Sequence, residues 1–172
     1  INGDGYDDII FSRPKVGPHG NGFVYLNYGS ATGIEINQAW SYANTRAGRG
    51  LSSAGDVNGD GYGDIIMSAY CEAPLMEHED KSILFLGSAE GFSQNPAWSK
   101  SNCYGESVSG GGDINGDGYD DVIIGDGQCS PGAVYIHYGS PTGISTDADR
   151  TITGSDPNAR FGSSVSNAGD IN

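Results

Sequence analysis

At 172 residues the chain is long enough for one sizeable core or an array of small units, and 22 acidic against 8 basic residues leave it a net charge of −14. That balance argues against nucleic acid, whose binding needs a basic face, and no apolar run approaches the ~20 residues of a membrane-spanning helix. Glycine is abundant (29 residues) and the apolar residues come in short ordered runs, the composition of a turn-dense all-β protein rather than a disordered one.

The chain opens on Ile-Asn-Gly-Asp-Gly-Tyr-Asp-Asp (1–8), followed at once by Ile9 and Ile10. The same loop returns complete as Asp-Val-Asn-Gly-Asp-Gly-Tyr-Gly-Asp (56–64) and Asp-Ile-Asn-Gly-Asp-Gly-Tyr-Asp-Asp (113–121), and its front recurs as Asp170, Ile171 and Asn172. Oxygen-bearing side chains fall at positions 1, 3, 5 and 9 of the nine-residue loop, and the carbonyl of position 7 is a natural further donor. Hard cations such as Ca²⁺ take about 6–8 oxygens. The candidate ligands are therefore Asn2, Asp4, Tyr6 and Asp8; Asp56, Asn58, Asp60, Tyr62 and Asp64; Asp113, Asn115, Asp117, Tyr119 and Asp121; and Asp170 with Asn172. This predicts two complete Ca²⁺ sites and a third shared between the chain termini or with a neighbouring chain. Asn-Gly and Asp-Gly are also plain hairpin turn formers. Three copies favour metal, because unneutralised carboxylates crowded in one tight turn repel each other. An EF-hand is excluded: its position 12 needs Glu, and here that position holds Phe11, Met67 and Ile124.

Between the loops the chain repeats. Asn2, Asn58, Asn115 and Asn172 are spaced by 56, 57 and 57 residues. A Gly-Ser-x-x-Gly turn recurs at 29–33, 87–91 and 139–143, preceded by apolar runs at 22–28, 82–86 and 133–138. Each period predicts four short strands: A (104–112), B (about 121–125, after the metal loop), C (about 133–138) and a weakly marked D (150–153, or 39–42 in the first unit). Repeated units of four antiparallel strands predict β-propeller blades. No run of 3.6-residue apolar period is long enough for a helix. The repeats run approximately 1–46, 47–103 and 104–160, with a closing strand in 161–172, so that the order is BCD-ABCD-ABCD-A in a single propeller segment.

Phe161-Gly162, the Gly-Asp-(Ile/Val)-Asn-Gly-Asp-Gly-Tyr-x-Asp loop and the small-residue stretch after strand B resemble the FG-GAP repeat over essentially the whole chain. The resemblance implies a propeller like that of integrin alpha subunits and many bacterial surface proteins, with Ca²⁺ held between strands A and B. Two departures concern packing rather than calcium. The Phe-Gly position reads Tyr104-Gly105 and Ala47-Gly48, and the Gly-Ala-Pro position reads Ser12-Arg13-Pro14, Ser68-Ala69-Tyr70 and Gly125-Asp126-Gly127.

The permuted ends allow two readings. Three blades are too few for a ring of about 4–8, so a head-to-tail homodimer would close six blades, with Asp170 and Asn172 meeting Asp4 and Asp8 of the other copy. Alternatively the chain, which opens in mid-motif, is a segment of a longer propeller. Cys103, just before strand A, and Cys129, just after strand B, lie at the open end of one hairpin, so a disulfide between them is geometrically natural and suits an extracellular or secreted setting. Free thiols are the other reading, and Cys71 has no Cys opposite it. Trp40 and Trp98 occupy matching places near strand D and predict packing between blades; His19, His78 and His137 are expected in surface or packing roles.

Metal loops and C–D turns share one face of the expected array, and B–C and D–A connections share the other. There the irregular acidic stretch with Glu72, Glu77, His78, Glu79 and Asp80 is the candidate ligand face, for a protein or glycan partner. The leading functional expectation is a calcium-stabilised, non-catalytic module for extracellular recognition or adhesion. A lectin-like propeller is the alternative, and an accessory domain of a secreted hydrolase the remote one. Catalysis by pairs such as Asp7 and Asp8 or Asp120 and Asp121 is disfavoured, since adjacent strand residues point to opposite faces.

Overall fold

Eleven short strands make up the regular structure among the described residues, most of them rich in β-branched and aromatic residues, the strands ahead of the acidic loops in small ones. The computed structural model describes residues 1–172 except 15–20, 37, 46, 73–77, 102–103 and 172, and only the backbone of 21, 45, 70–72 and 78–80. The strands are β1 (Ile9–Arg13), β2 (Asn21–Asn27), β3 (Trp40–Thr45), β4 (Leu51–Gly55), β5 (Asp64–Glu72), β6 (His78–Phe85), β7 (Trp98–Lys100), β8 (Ser107–Gly112), β9 (Asp121–Asp126), β10 (Ala133–His137) and β11 (Arg150–Thr153). They form three antiparallel meanders of three, four and four strands, β1-β2-β3, β4-β5-β6-β7 and β8-β9-β10-β11. The protein is all-β, with no helix among the described residues.

The sheets pack face to face, and the middle one is covered on both sides. Ile65, Met67, Ile83 and Phe85 meet Val24, Leu26 and Trp40 of the first sheet, whereas Ile66, Leu84 and Ala54 meet Tyr104, Val108, Val122 and Ile124 of the third. This is why β5 reads Ile-Ile-Met without alternation: both faces leave water. Trp40 crosses from one sheet to the next, edge-on to Phe85 and Phe92, and its Nε1–H donates to the Ser93 carbonyl at 3.2 Å. The outer face of the first sheet is different. Ile9 is 44% and Phe11 43% exposed, whereas the residues at the same places in the other repeats, Ile65, Met67, Val122 and Ile124, are fully buried.

Two expectations are corrected. The acidic stretch at 71–80 is not irregular at its two ends, while 73–77 lie outside the described residues. β5 runs on to Glu72 and β6 starts at His78, with Cys71 opposite Glu79 and Tyr70 opposite Asp80, because an extended hairpin pairs backbone groups that a loop would leave to water. The segment after Phe161 is not a closing strand; Phe161 makes an isolated bridge with Gly132 and no ladder follows. It still lies where an A strand lies relative to the sheet before it. Asn167 N–H donates to Ser109 Oγ just as Gly110 N–H donates to Ser52 Oγ, both at 3.3 Å. No strand among the described residues pairs along its other side, and a segment without a ladder partner gains no backbone pairing.

One repeat position carries a strained variation. His137 stands where the second sheet has Phe85, fully buried and edge-on to Trp98 at 5.1 Å. Its Nδ1 is 3.1 Å from the Ser145 carbonyl, which matches the carbonyl that Trp40 uses in the neighbouring sheet. With Nδ1–H donating there, Trp98 Nε1 and His137 Nε2 are left buried without partners. Burial pushes the imidazole below its ordinary value. Below the usual histidine range, near 6.5, the unfolded chain takes up a proton that the folded chain resists, so stability is kept at higher pH and lost as pH falls through that range. His137→Phe frees the Ser145 carbonyl for Trp98, and is expected to gain about 1 kcal/mol at neutral pH. The gap over wild type should widen between pH 7 and 5 in urea melts; a constant gap would contradict this account.

Candidate metal centre

The three loops join the first two strand positions of their sheets, so they sit together at one end of the array. The A strands β4 and β8 break register between Ser53 and Gly55 and between Gly110 and Gly112. Such bulges bend the chain out of the ladder and into the loop. Positions 4 and 6 then need left-handed backbone, at φ +71° and +89° for Gly59 and Gly61 and +75° and +94° for Gly116 and Gly118, which glycine adopts without steric cost.

Within each loop the side chains fold inward onto amides. Asp56 accepts from Asp60 N–H (3.1 Å) and Gly61 N–H (2.8 Å); Asp60 accepts from Tyr62 N–H (2.9 Å) and from Asn58 Nδ2 (2.8 Å). The third loop repeats this: Asp113 accepts from Gly116, Asp117 and Gly118 amides, and Asp117 from Tyr119 N–H and Asn115 Nδ2. In the first loop Asp4 accepts from Tyr6 N–H and Asn2 Nδ2. Asp170 is exposed, and Asn172 lies outside the described residues.

The position-9 aspartates hold a different place. Asp64 and Asp121 are fully buried. Each fastens two amides: Asp64 takes Val57 N–H and Gly87 N–H, both at 2.8 Å, and Asp121 takes Ile114 N–H (2.8 Å) and Gly139 N–H (2.9 Å). Asp8 takes Gly29 N–H at 2.9 Å and the Ile1 backbone nitrogen at 2.7 Å. Each therefore staples its loop to the Gly-Ser turn of its own sheet. Sequence reasoning missed this role, although a Gly-Ser after every third strand was the signal for it. Burial pushes the Asp64 carboxyl up to about 7 against the pull of those two amides, and the charges of Asp60 and Asp56 add to the rise. Burial raises Asp121 likewise.

Among the described residues no three acidic, His or Cys side chains converge as a ready cage, since the loop carboxylates are turned onto amides. The chemistry of the donor set nevertheless fits a hard divalent cation. Asp56, Asn58, Asp60, the Tyr62 carbonyl and Asp64 are oxygen donors only, with three carboxylates among them, and a carboxylate oxygen that accepts one N–H keeps a second lone pair.

On the opposite end, Glu72, His78, Glu79 and Asp80 belong to the β5–β6 hairpin, and Glu77 lies outside the described residues. Cys129 is disulfide-bonded; Cys103, its expected partner, lies outside the described residues.

Residues 1–67 match the family model of the FG-GAP-like repeat and residues 104–137 that of the FG-GAP repeat. Among curated relatives, the chain is 32% identical to Integrin alpha-PS3 of Drosophila melanogaster over 82% of its length, 34% identical to Integrin alpha-4 of Xenopus laevis over 73%, and 34% identical to Integrin alpha pat-2 of Caenorhabditis briggsae over 84%. It spans 13–14% of the length of these relatives.

Proposed function

This chain belongs to the FG-GAP repeat family, and on that premise we propose that it is a calcium-stabilised β-propeller segment serving extracellular recognition or adhesion, with no catalytic role. One observation carries the reading: the acidic loops recur with one hydrogen-bond pattern at one end of the stacked sheets, each closed by an aspartate fastened to its own sheet's turn. Such a loop is scaffold rather than reaction centre. Its carboxylates are committed to ordering backbone, and the charge they concentrate is what a divalent cation neutralises when bound. Recognition is assigned to the connections at the opposite end, beyond Glu72 of β5 and before His78 of β6.

The uncovered apolar face of β1 belongs to the same reading. Its Ile9 and Phe11 are matched by fully buried residues in both other sheets, so a further blade of the same type is the cover that fits. Either a longer chain or a second copy supplies it.

Calcium titration by calorimetry tests the metal reading. Two equivalents are expected to bind the two complete loops, and Asp60→Ala and Asp117→Ala should each abolish one of them. Binding that survives both substitutions would remove the loops from the reading. Light scattering on the same sample gives the source of the covering blade: a dimer means a second copy, a monomer a longer chain.

A further inference from the structure

The second and third loops are not independent. The third loop's position-8 residue, Asp120, reaches back to the second: its Oδ2 accepts Asp56 N–H at 2.8 Å, while its own N–H donates to the Asp56 carbonyl at 3.1 Å. Both peptide groups flanking the position-1 residue of the second loop's candidate ligand set are thus gripped from the neighbouring sheet. The approach is close enough that a Cβ on Gly55 would collide with the Asp120 carboxylate. Two further contacts run the same way. Ser140 N–H, next to the glycine fastened by Asp121, donates to the Val57 carbonyl at 3.0 Å, and Val57 N–H is the one fastened by Asp64. The Tyr119 ring lies over Gly59, where an added Cβ would be 2.6 Å from a ring carbon.

The tyrosine contact is common to the array, since Tyr62 lies over Gly3 in the same manner. The carboxylate is not. Position 8 of the second loop is Gly63, which has nothing to extend toward the first loop, and Asp7 of the first loop is exposed. The two complete loops are therefore joined by a charge-assisted hydrogen bond.

We propose that Asp120 is a positioning residue that couples the two complete calcium loops: held by the third loop, it fixes the Asp56 backbone of the second, so that occupancy of either loop raises the affinity of the other. This rests on the calcium reading above. Ordering of the third loop by a bound cation sets Asp120, Asp120 sets Asp56, and by linkage the effect is reciprocal.

Site-resolved calcium titration by NMR tests it, with the Gly61 and Gly118 amides as separate reporters of the two loops. Silencing the third loop with Asp117→Ala is expected to weaken calcium at Gly61 by roughly tenfold, within the usual range for coupled sites. In an Asp120→Ala background the same silencing should leave the Gly61 midpoint unchanged, which closes a thermodynamic cycle. Asp120→Asn, which keeps an oxygen acceptor for Asp56 N–H, should retain part of the coupling and guards against loss of fold in the alanine variant. The inference is overturned if Asp117→Ala does not move the Gly61 midpoint, or moves it equally with and without Asp120. If both amides respond to calcium but independently, the coupling alone fails. If neither responds, the calcium reading fails with it.

Discussion

Chelation with EDTA is expected to lower the melting temperature of the calcium-loaded chain by roughly 10–20 °C. A ligand held at a hundred times its Kd stabilises by about 2.7 kcal/mol, two complete loops give about 5 kcal/mol together, and 1 kcal/mol moves a chain of this size by about 2–4 °C. The physical reason is local. Asp64 is buried with its carboxyl pushed up to about 7, beside Asp60 and Asp56. At neutral pH the stripped loop must keep that carboxyl protonated or bear its charge next to two others. Residues so placed cannot simply swing away, because Asp64 closes the loop through Val57 and Gly87. A chain with 22 acidic residues also responds to general charge screening, so the control is EDTA with added sodium chloride, which should not restore the melt. Coincident melts in EDTA and in millimolar calcium would leave the loops as turns that need no ion.

The regular part of this architecture was legible because it repeats. Loop, first strand after the loop, third strand and Gly-Ser turn recur in one order, and the strands β9, β10 and β11 fall within a residue or two of expectation. The weak D strand was expected at 39–42 and 150–153, and Trp40 and Trp98, expected near it, open β3 and β7. What the sequence concealed was everything that depends on the neighbour. Whether 161–169 becomes a strand depends on pairing with a partner strand, and no local preference encodes that. That β5 extends to Glu72 and β6 begins at His78 depended on cross-strand pairing of polar residues with no apolar alternation to reveal it. In the loops, the spacing of the acidic residues was plain, but not their division of labour. Positions 1 and 5 turn onto amides of the loop itself, position 9 fastens the loop to its own sheet, and position 8 of one loop reaches the next. Asp120 was legible only as half of an Asp-Asp pair, and its partner lies 64 residues away.

The small residues of the A strands are the other feature whose cause lies in the neighbouring sheet, and they carry the second large expected effect. Gly110 in β8 has an ordinary backbone conformation, so glycine is not there for its freedom. It is there for space: a Cβ would sit 2.5 Å from the Ser53 carbonyl oxygen and 3.2 Å from the Ala54 Cα, both backbone atoms of β4 that cannot rotate aside. Gly110→Ala should therefore push the third sheet off the second and cost about 3 kcal/mol, at the upper end of overpacking penalties. Gly110→Val should remove the cooperative transition altogether, since the displaced interface holds Val108, Val122 and Ile124 against Ile66 and Leu84. Gly63→Ala is the matched control. Its backbone is equally ordinary, but a Cβ there meets nothing nearer than 3.6 Å, and its cost should stay within about 0.5 kcal/mol. Urea midpoints of the three variants separate the effects. A Gly110→Ala midpoint equal to that of Gly63→Ala would mean that β4 and β8 are not in this close contact. The hydrogen bond from Asp56 to Asp120 would then lose its structural basis, because sheets held further apart would no longer bring one loop to the other.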